Sequence, residues 1–275
     1  MQVSPLESAL SGAAPQARII GIVNGRGLWT LYVKEVRRFL NVFTQTLLAP
    51  MVTTLLFLAI FTLALGRAVQ QVGGVSYAEF LAPGLIMMAM VQNAFANTSS
   101  SIVIAKVQGN IVDLLMPPLS ASELTLGIAG GGLTRGLLVG LVVGLAMWAF
   151  VPLRLHDPLL ILYFGANASL MLALLGMIGG IWAEKFDHIA AVTNFVITPL
   201  SFLSGTFYSI ERLPENWHFI ALFNPFFYMI DGFRYGFIGH ADGNLAIGMA
   251  VVLLVNVALW IIAQRMFATG YRLKA

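Results

Sequence analysis

Asn93, Asn97, Ser100 and Ser101 recur at helical spacing on one face of an otherwise apolar stretch. Amide and hydroxyl groups in such a setting have two uses. They hydrogen-bond neighbouring helices, or they line a water-filled path and touch what passes along it. Asn93, Asn97 and Ser100 are therefore candidate substrate-path residues, with helix-to-helix bonding as the alternative. A second group is Asp231 and Arg234, three residues apart, whose charges can pair on one helix face. They lie with Glu211, Pro225 and Tyr228 in a region, 204–240, whose apolar residues are interrupted by Gly205, Pro214, Pro225, Gly232 and Gly236. That region is too broken for a clean span and too apolar for an ordinary loop. A re-entrant pair of short helices over 208–237 reconciles the two features.

Other chemistries find no residues. No Gly-Lys pair occurs, so there is no ordinary phosphate loop for ATP. Leu203-Ser204-Gly205 superficially resembles part of an ATPase signature but lacks the residues that should follow. His156, His188, His218 and His240 fall in separate loops with no His-Glu-x-x-His, a spacing that does not predict a zinc site. Gly74-Val75-Ser76 superficially resembles a serine-nucleophile turn, yet no histidine on a span stands ready to activate it. There is no cysteine, which excludes disulfides, thiol catalysis and palmitoylation. Ion-coupled pumps place acidic residues inside spans. Here Asp113, Asp157, Glu184, Asp187 and Asp242 fall in loops or at ends, and Glu79 at a boundary.

The elements that position these residues follow from composition. Of 275 residues 59% are hydrophobic and 10% charged, against roughly 25% charged in a soluble domain. Six runs reach the length of about 20 apolar residues that a helical span requires: 42–65, 79–101, 123–150, 158–182, 188–207 and 245–266. The expected fold is an all-α membrane protein of six transmembrane helices in one domain, 28–275, after a cytoplasmic tail, 1–27. That tail lacks a basic start followed by an apolar stretch and does not read as a cleaved signal. Within 28–41, Leu28, Tyr32, Val36, Phe39 and Phe43 oppose Lys34, Arg37 and Arg38, the pattern of an in-plane amphipathic helix. Phe80-Leu81-Ala82-Pro83-Gly84 predicts a broken or kinked start to the second span. Ser120 three residues before Glu123 forms a capping box that starts the third span. In that span Gly132, Gly136, Gly140 and Gly144 make a smooth packing groove. Arg135 is placed near its inner end, either snorkelling or paired internally. Trp148 and Trp182 fit interfacial belts on opposite sides. The inner loop 102–122 is amphipathic, stops at Pro117-Pro118, and is suited to docking a cytoplasmic partner.

At 204–235 the motifs become specific. Ser204-Gly205, Leu213-Pro214 and Asn224-Pro225-Phe226-x-Tyr228, with Arg234 following, resemble the carboxy-terminal signature of ABC-2 type permeases. Phe80-Leu81-Ala82-Pro83-Gly84, the Lys106–Pro117 stretch and Thr198-Pro199-Leu200 match that family in order, and the similarity covers about residues 28–270. One departure is a longer amino-terminal tail. The resemblance implies a bacterial inner-membrane export permease: six spans, an in-plane helix before the first, a re-entrant hairpin before the sixth. It implies two permease copies with two ATPase subunits that hold ATP and Mg, no cofactor on this chain, and no catalysis by it. It places a coupling helix at about 105–119, carried by Lys106, Asn110, Asp113, Leu114 and Leu115. Substrates would be lipids, lipid-linked glycans or drugs. The rival class is an ion-coupled carrier or channel without an ATPase, which would want buried charges or an inverted repeat.

Basic residues set the orientation. With the amino terminus inside, 11 of the Lys and Arg residues fall in inner segments and 4 in outer ones, and all four lysines are inside. The positive-inside rule then puts both termini in the cytoplasm. A single Lys274→Cys variant should resist a membrane-impermeant maleimide in intact cells, and Glu215→Cys should react; labelling of the first reverses the topology.

Overall fold

The computed structural model describes residues 21–66, 69, 71–210 and 214–273. Glu211, Arg212 and residues 1–20 of the expected tail lie outside the described residues, as do the counted charges Arg67 and Lys274. The chain is mostly helical. Among the described residues, six helices are long and apolar enough to cross a membrane: Thr44–Leu65, Tyr77–Val107, Ala121–Trp148, Pro158–Trp182, Phe186–Leu203 and Leu245–Thr269. Each coincides with an expected run, the second extending six residues further and carrying Lys106 into its last turn.

Local chemistry accounts for the ends. The second and third spans both open on complete capping boxes, Ser76 with Glu79 and Ser120 with Glu123. Ser76, the residue of the apparent nucleophile turn, is thus committed to a helix start. Before it, Gln71–Val72 and Val75–Ser76 pair as a small antiparallel hairpin. Its turn residues Gly73 and Gly74 hold φ of 59° and 79°, the left-handed pair that a tight two-residue hairpin requires. Asp157 and Asn244 accept backbone N–H groups at the starts of the fourth and sixth spans.

Proline acts differently in three spans. In the first and fifth, Pro50 and Pro199 each follow a π-helical turn, Thr44–Leu48 and Thr193–Ile197. There the N–H of Ala49 bonds Thr44 O and that of Thr198 bonds Thr193 O. A proline collides with the carbonyl four residues back and has no N–H for it, and the wider turn makes room. Pro83 instead sits inside a continuous helix, so of the expected break or kink at 80–84 the break does not occur. The carbonyl that Pro83 leaves without a helical donor is that of Glu79, and the carbonyl next to it is held from outside: Arg234 Nε donates to Phe80 O at 3.2 Å.

The second span is the axis of the molecule. Of its apolar window 78% is buried, against 11% for the first and fifth spans and 17% for the sixth. Neighbours approach its backbone through glycines. A Cβ on Gly132 would lie 2.7 Å from both Thr98 and Ala173, and one on Gly176 only 2.4 Å from Phe95 O. The expected glycine groove is therefore a contact face of the third span on the second and fourth. Gly144 is the exception, since its Cβ would meet only Ile86 Cδ1, at 3.8 Å.

The amino-terminal helix is Gly25–Leu40, three residues earlier than expected because Asn24 caps it by accepting from Gly27 N. Asn24 N in turn donates to Glu123 Oε1, tying that start to the third span. Its buried positions are Leu31, Glu35 and Phe39, which rotates the inner face from the expected one and turns Arg38 inward with it. Leu31 packs on Gly127 and Glu35 on Gly131, and Tyr32 Oη bonds Thr134 Oγ1 at 2.9 Å. The two helices thus advance in step.

Gly176→Ala should push the second and fourth spans apart, at about the 1–3 kcal/mol of an overpacked core. It should lower the thermal unfolding midpoint of the detergent-purified protein, whereas Gly144→Ala should leave that midpoint unchanged.

Candidate functional site

The polar stripe of the second span is occupied on its carboxy-terminal half by the amino-terminal helix. Arg38 donates to Ser100 Oγ (3.1 Å), to Asn97 Oδ1 (3.1 Å) and to the Asn97 carbonyl. It also pairs with Glu35 Oε2 at 3.1 Å. Glu35 is fully buried, and its other oxygen accepts from Ser101 Oγ at 2.7 Å. A buried carboxylate is stable only when paired and hydrogen-bonded, and here both oxygens are engaged. Asn97, Ser100 and Ser101 therefore serve a helix joint. Sequence reasoning missed Glu35 and placed Arg38 on the wet side. The signal was present: Glu35 stands four residues from both Leu31 and Phe39, in register with the buried positions and three residues before Arg38.

Asn93 marks the middle of the second span. Its Oδ1 accepts from Arg135 Nη2 at 2.8 Å. Arg135 is the fifteenth residue of its 28-residue helix, so it lies midway along the third span, not near the inner end, and pairs internally rather than snorkelling. Two clefts meet at Gln92 and Asn93. One, of about 250 Å³, runs between the first and second spans past Gln45, Thr53 and Thr54. The other, of about 380 Å³, runs between the second and fifth past Ser100, Thr193 and Thr198. Of the three expected path residues, Asn93 and Ser100 reach a cleft, and Asn97 is enclosed. The hydroxyls of the first and fifth spans carried no periodic signal in the sequence.

Between the second and third spans, the helix Ile111–Leu115 is short, and Pro117-Pro118 follows it. Ile111 and Leu114 are buried in one apolar cluster with Leu31 and Leu273. Asn110, Asp113 and Leu115 face outward, and so do Val112 and Met116, which are 52% and 76% exposed. Lys106 has an internal task. Its Nζ donates to Ile181 O (2.7 Å) and Ala183 O (2.6 Å), closing the carbonyl end of the fourth span. Arg272 bonds the adjacent Trp182 carbonyl at 3.0 Å.

The broken region contains two helices, Glu215–Leu222 and Pro225–Ile238. Pro225 is the first residue of the second, and Asn224 caps it while its amide bonds Leu200 O at 2.9 Å. Tyr228 packs beside Gly248 of the sixth span. The expected Asp231–Arg234 ion pair does not form. Asp231 accepts the backbone N–H groups of Asp242 and Gly243 at 2.8 and 2.9 Å. Arg234, 2% exposed, bonds the carbonyls of Phe80, Gly205 and Thr206 and lies 3.9 Å above the Phe80 ring. Sequence spacing measures only neighbours on one helix. Here backbone groups of other segments, most of them outside regular helix, outcompete the neighbouring side chain.

Residues 26–238 match the family described as ABC-2 type transporter. The chain is 38% identical over 248 residues to the inner membrane transport permease YadH of Escherichia coli K12, covering 90% of this chain and 97% of that protein. It is 30% identical over 196 residues to nodulation protein J of Rhizobium leguminosarum bv. trifolii, covering 71% and 75%.

Removing Arg234 strips charge-assisted bonds of about 1.5–3 kcal/mol each from buried carbonyls. Arg234→Ala should abolish recovery of folded protein by size-exclusion chromatography, while Arg154→Ala should be recovered normally. The exchange Asp231→Arg with Arg234→Asp should fail as completely as the single variant; recovery by the exchange would restore the ion pair to the account.

Proposed function

The chain belongs to the ABC-2 type transporter family and is a multi-pass inner-membrane transport permease, and on that premise we propose that it is the export subunit of an ATP-driven transporter whose ATPase is a separate chain. Two permease copies and two ATPases would form the working unit. The first and fifth spans, least buried within one copy, suit a seam with the second. The observation that carries the reading is the loop helix: Ile111 and Leu114 fasten it to the inner apolar cluster while Val112, Asp113, Leu115 and Met116 are left outward. An apolar ridge with one acid, held rigidly at the cytoplasmic end, is suited to a protein partner.

Motion of that ridge has a physical route. The cluster that holds Leu114 also holds Leu31, and the amino-terminal helix of Leu31 is bonded to the second span through Arg38. ATP drives transport if it and the substrate bind the inward and outward states with different affinities. The two clefts at Asn93 supply amides and hydroxyls beside apolar walls, which favours an amphipathic substrate: a lipid, a lipid-linked glycan or a drug. Lys34 and Arg37, exposed on the amino-terminal helix, would face anionic headgroups or the ATPase at the interface. The 208–237 segment is the re-entrant hairpin of this reading. Exposed Trp217, Phe219 and Phe223 favour lipid contact, and the buried Arg234 anchors the segment to the second span.

Leu114 is part of the fold, so the docking test uses its outward neighbours. Asp113→Arg with Leu115→Arg should leave the permease folded but abolish copurification of the ATPase and substrate-stimulated ATP hydrolysis. Normal copurification and hydrolysis would remove the loop from the coupling role.

A further inference from the structure

A wholly apolar groove opens sideways between the adjoining ends of the third and fourth spans, away from the two clefts at Asn93. It encloses about 450 Å³, within the roughly 300–1,000 Å³ usual for small-molecule sites. Ile86 and Met90 of the second span and Phe233 and Phe237 of the hairpin helix form its floor; Gly144 and Gly165 thin its walls. We propose that the groove binds one acyl chain of an anionic phospholipid from the adjoining leaflet, with its phosphate at Arg154.

Three observations converge. The first is the odd step in the glycine ladder. Gly132, Gly136 and Gly140 are each filled by a neighbour that would lie within 2.7 Å of a Cβ, but Gly144 has only Ile86 Cδ1 at 3.8 Å. Protein packing explains three steps, and at the fourth the smooth face opens onto the groove. The second is depth. On the third span the groove runs from Leu137 to Trp148, about 17 Å of helical rise in a hydrocarbon core of about 30 Å. It therefore belongs to roughly one leaflet, the reach of one lipid tail, whereas a partner helix would need a seam along the whole span. The third is charge. Leu153 and Leu155 both line the groove, and exposed Arg154 stands between them. A guanidinium there can hold a phosphate by charge-assisted hydrogen bonds, and Trp148 at the same end suits the headgroup boundary. The bound tail would lie against Phe233 and Phe237, so the lipid would brace the helix that carries Arg234.

The test uses the full chain in vesicles of phosphatidylethanolamine and phosphatidylglycerol, with some phosphatidylglycerol carrying a diazirine in one acyl chain. After photolysis, adducts are located by peptide mass spectrometry. Adducts are expected on Met90 and Phe233, each only 3% exposed, as well as on the outward Leu254 and Ile261 of the sixth span. Gly144→Leu, which fills open space, and Leu162→Trp, which narrows the groove from its exposed wall, should each remove the Met90 and Phe233 adducts. Arg154→Glu should reduce them roughly tenfold, the loss of a hydrogen bond to a charged group. Leu254 and Ile261 adducts should persist in every variant. Labelling confined to Leu254 and Ile261 in the unaltered chain, or Met90 labelling indifferent to both filling variants, overturns the proposal. So does a benzophenone residue at position 145 that crosslinks a second protein chain instead of lipid.

Discussion

A polar group inside a bilayer has no water to fall back on, so it must find its partner within the protein. That constraint organises this chain more than any single apolar contact. Its interior cations are spent largely on backbone carbonyls: Lys106 on Ile181 and Ala183, Arg234 on Phe80, Gly205 and Thr206, Arg38 partly on Asn97. Some of these carbonyls, those of Ala183, Gly205 and Thr206, lie outside regular helix and are acceptors that helical geometry leaves over. A long cationic side chain reaches across from another element to satisfy them, and in doing so fixes where that element sits.

The second span shows how packing and polarity cooperate. Glycines on the third and fourth spans let backbones approach it closely, and that closeness allows the short hydroxyl of Thr98 to reach Ala173 O at 2.7 Å. Without a hydrophobic force between helices in lipid, close van der Waals contact and interhelical bonds must supply cohesion. The least buried spans, the first and fifth, flank the clefts at Asn93 and carry the π-helical turns with their prolines. Cohesion is thus concentrated around the second span, and the elements beside the clefts are held more lightly. That division suits alternating access, in which some helices move against a fixed frame.

At one end of the bundle the amino-terminal helix, the loop helix and Leu273 share one apolar cluster, although they come from distant parts of the sequence. A displacement imposed on the loop helix would reach the second span through the Glu35–Arg38 joint. Glu35 is the weak point of that joint as well as its centre, because a buried carboxylate that loses its partner costs several kcal/mol.

The sequence by itself determined the membrane setting, the six spans, the capping box of the third span and the packing use of the glycine ladder. Each follows from local composition or fixed spacing along one helix, and lipid makes those signals strong. The resemblance in motifs likewise identified the family. What only the tertiary structure decided was partnership between elements. Asp231 and Arg234 looked like a pair because they are neighbours on one helix, but backbone groups from three other segments were nearer competitors. Arg38 looked solvated until the cap at Asn24 set the helix rotation, and Asn97 looked available until Arg38 took it. Pairings across long sequence separation depend on how helices are rotated and stacked, and no periodicity within a single helix encodes that.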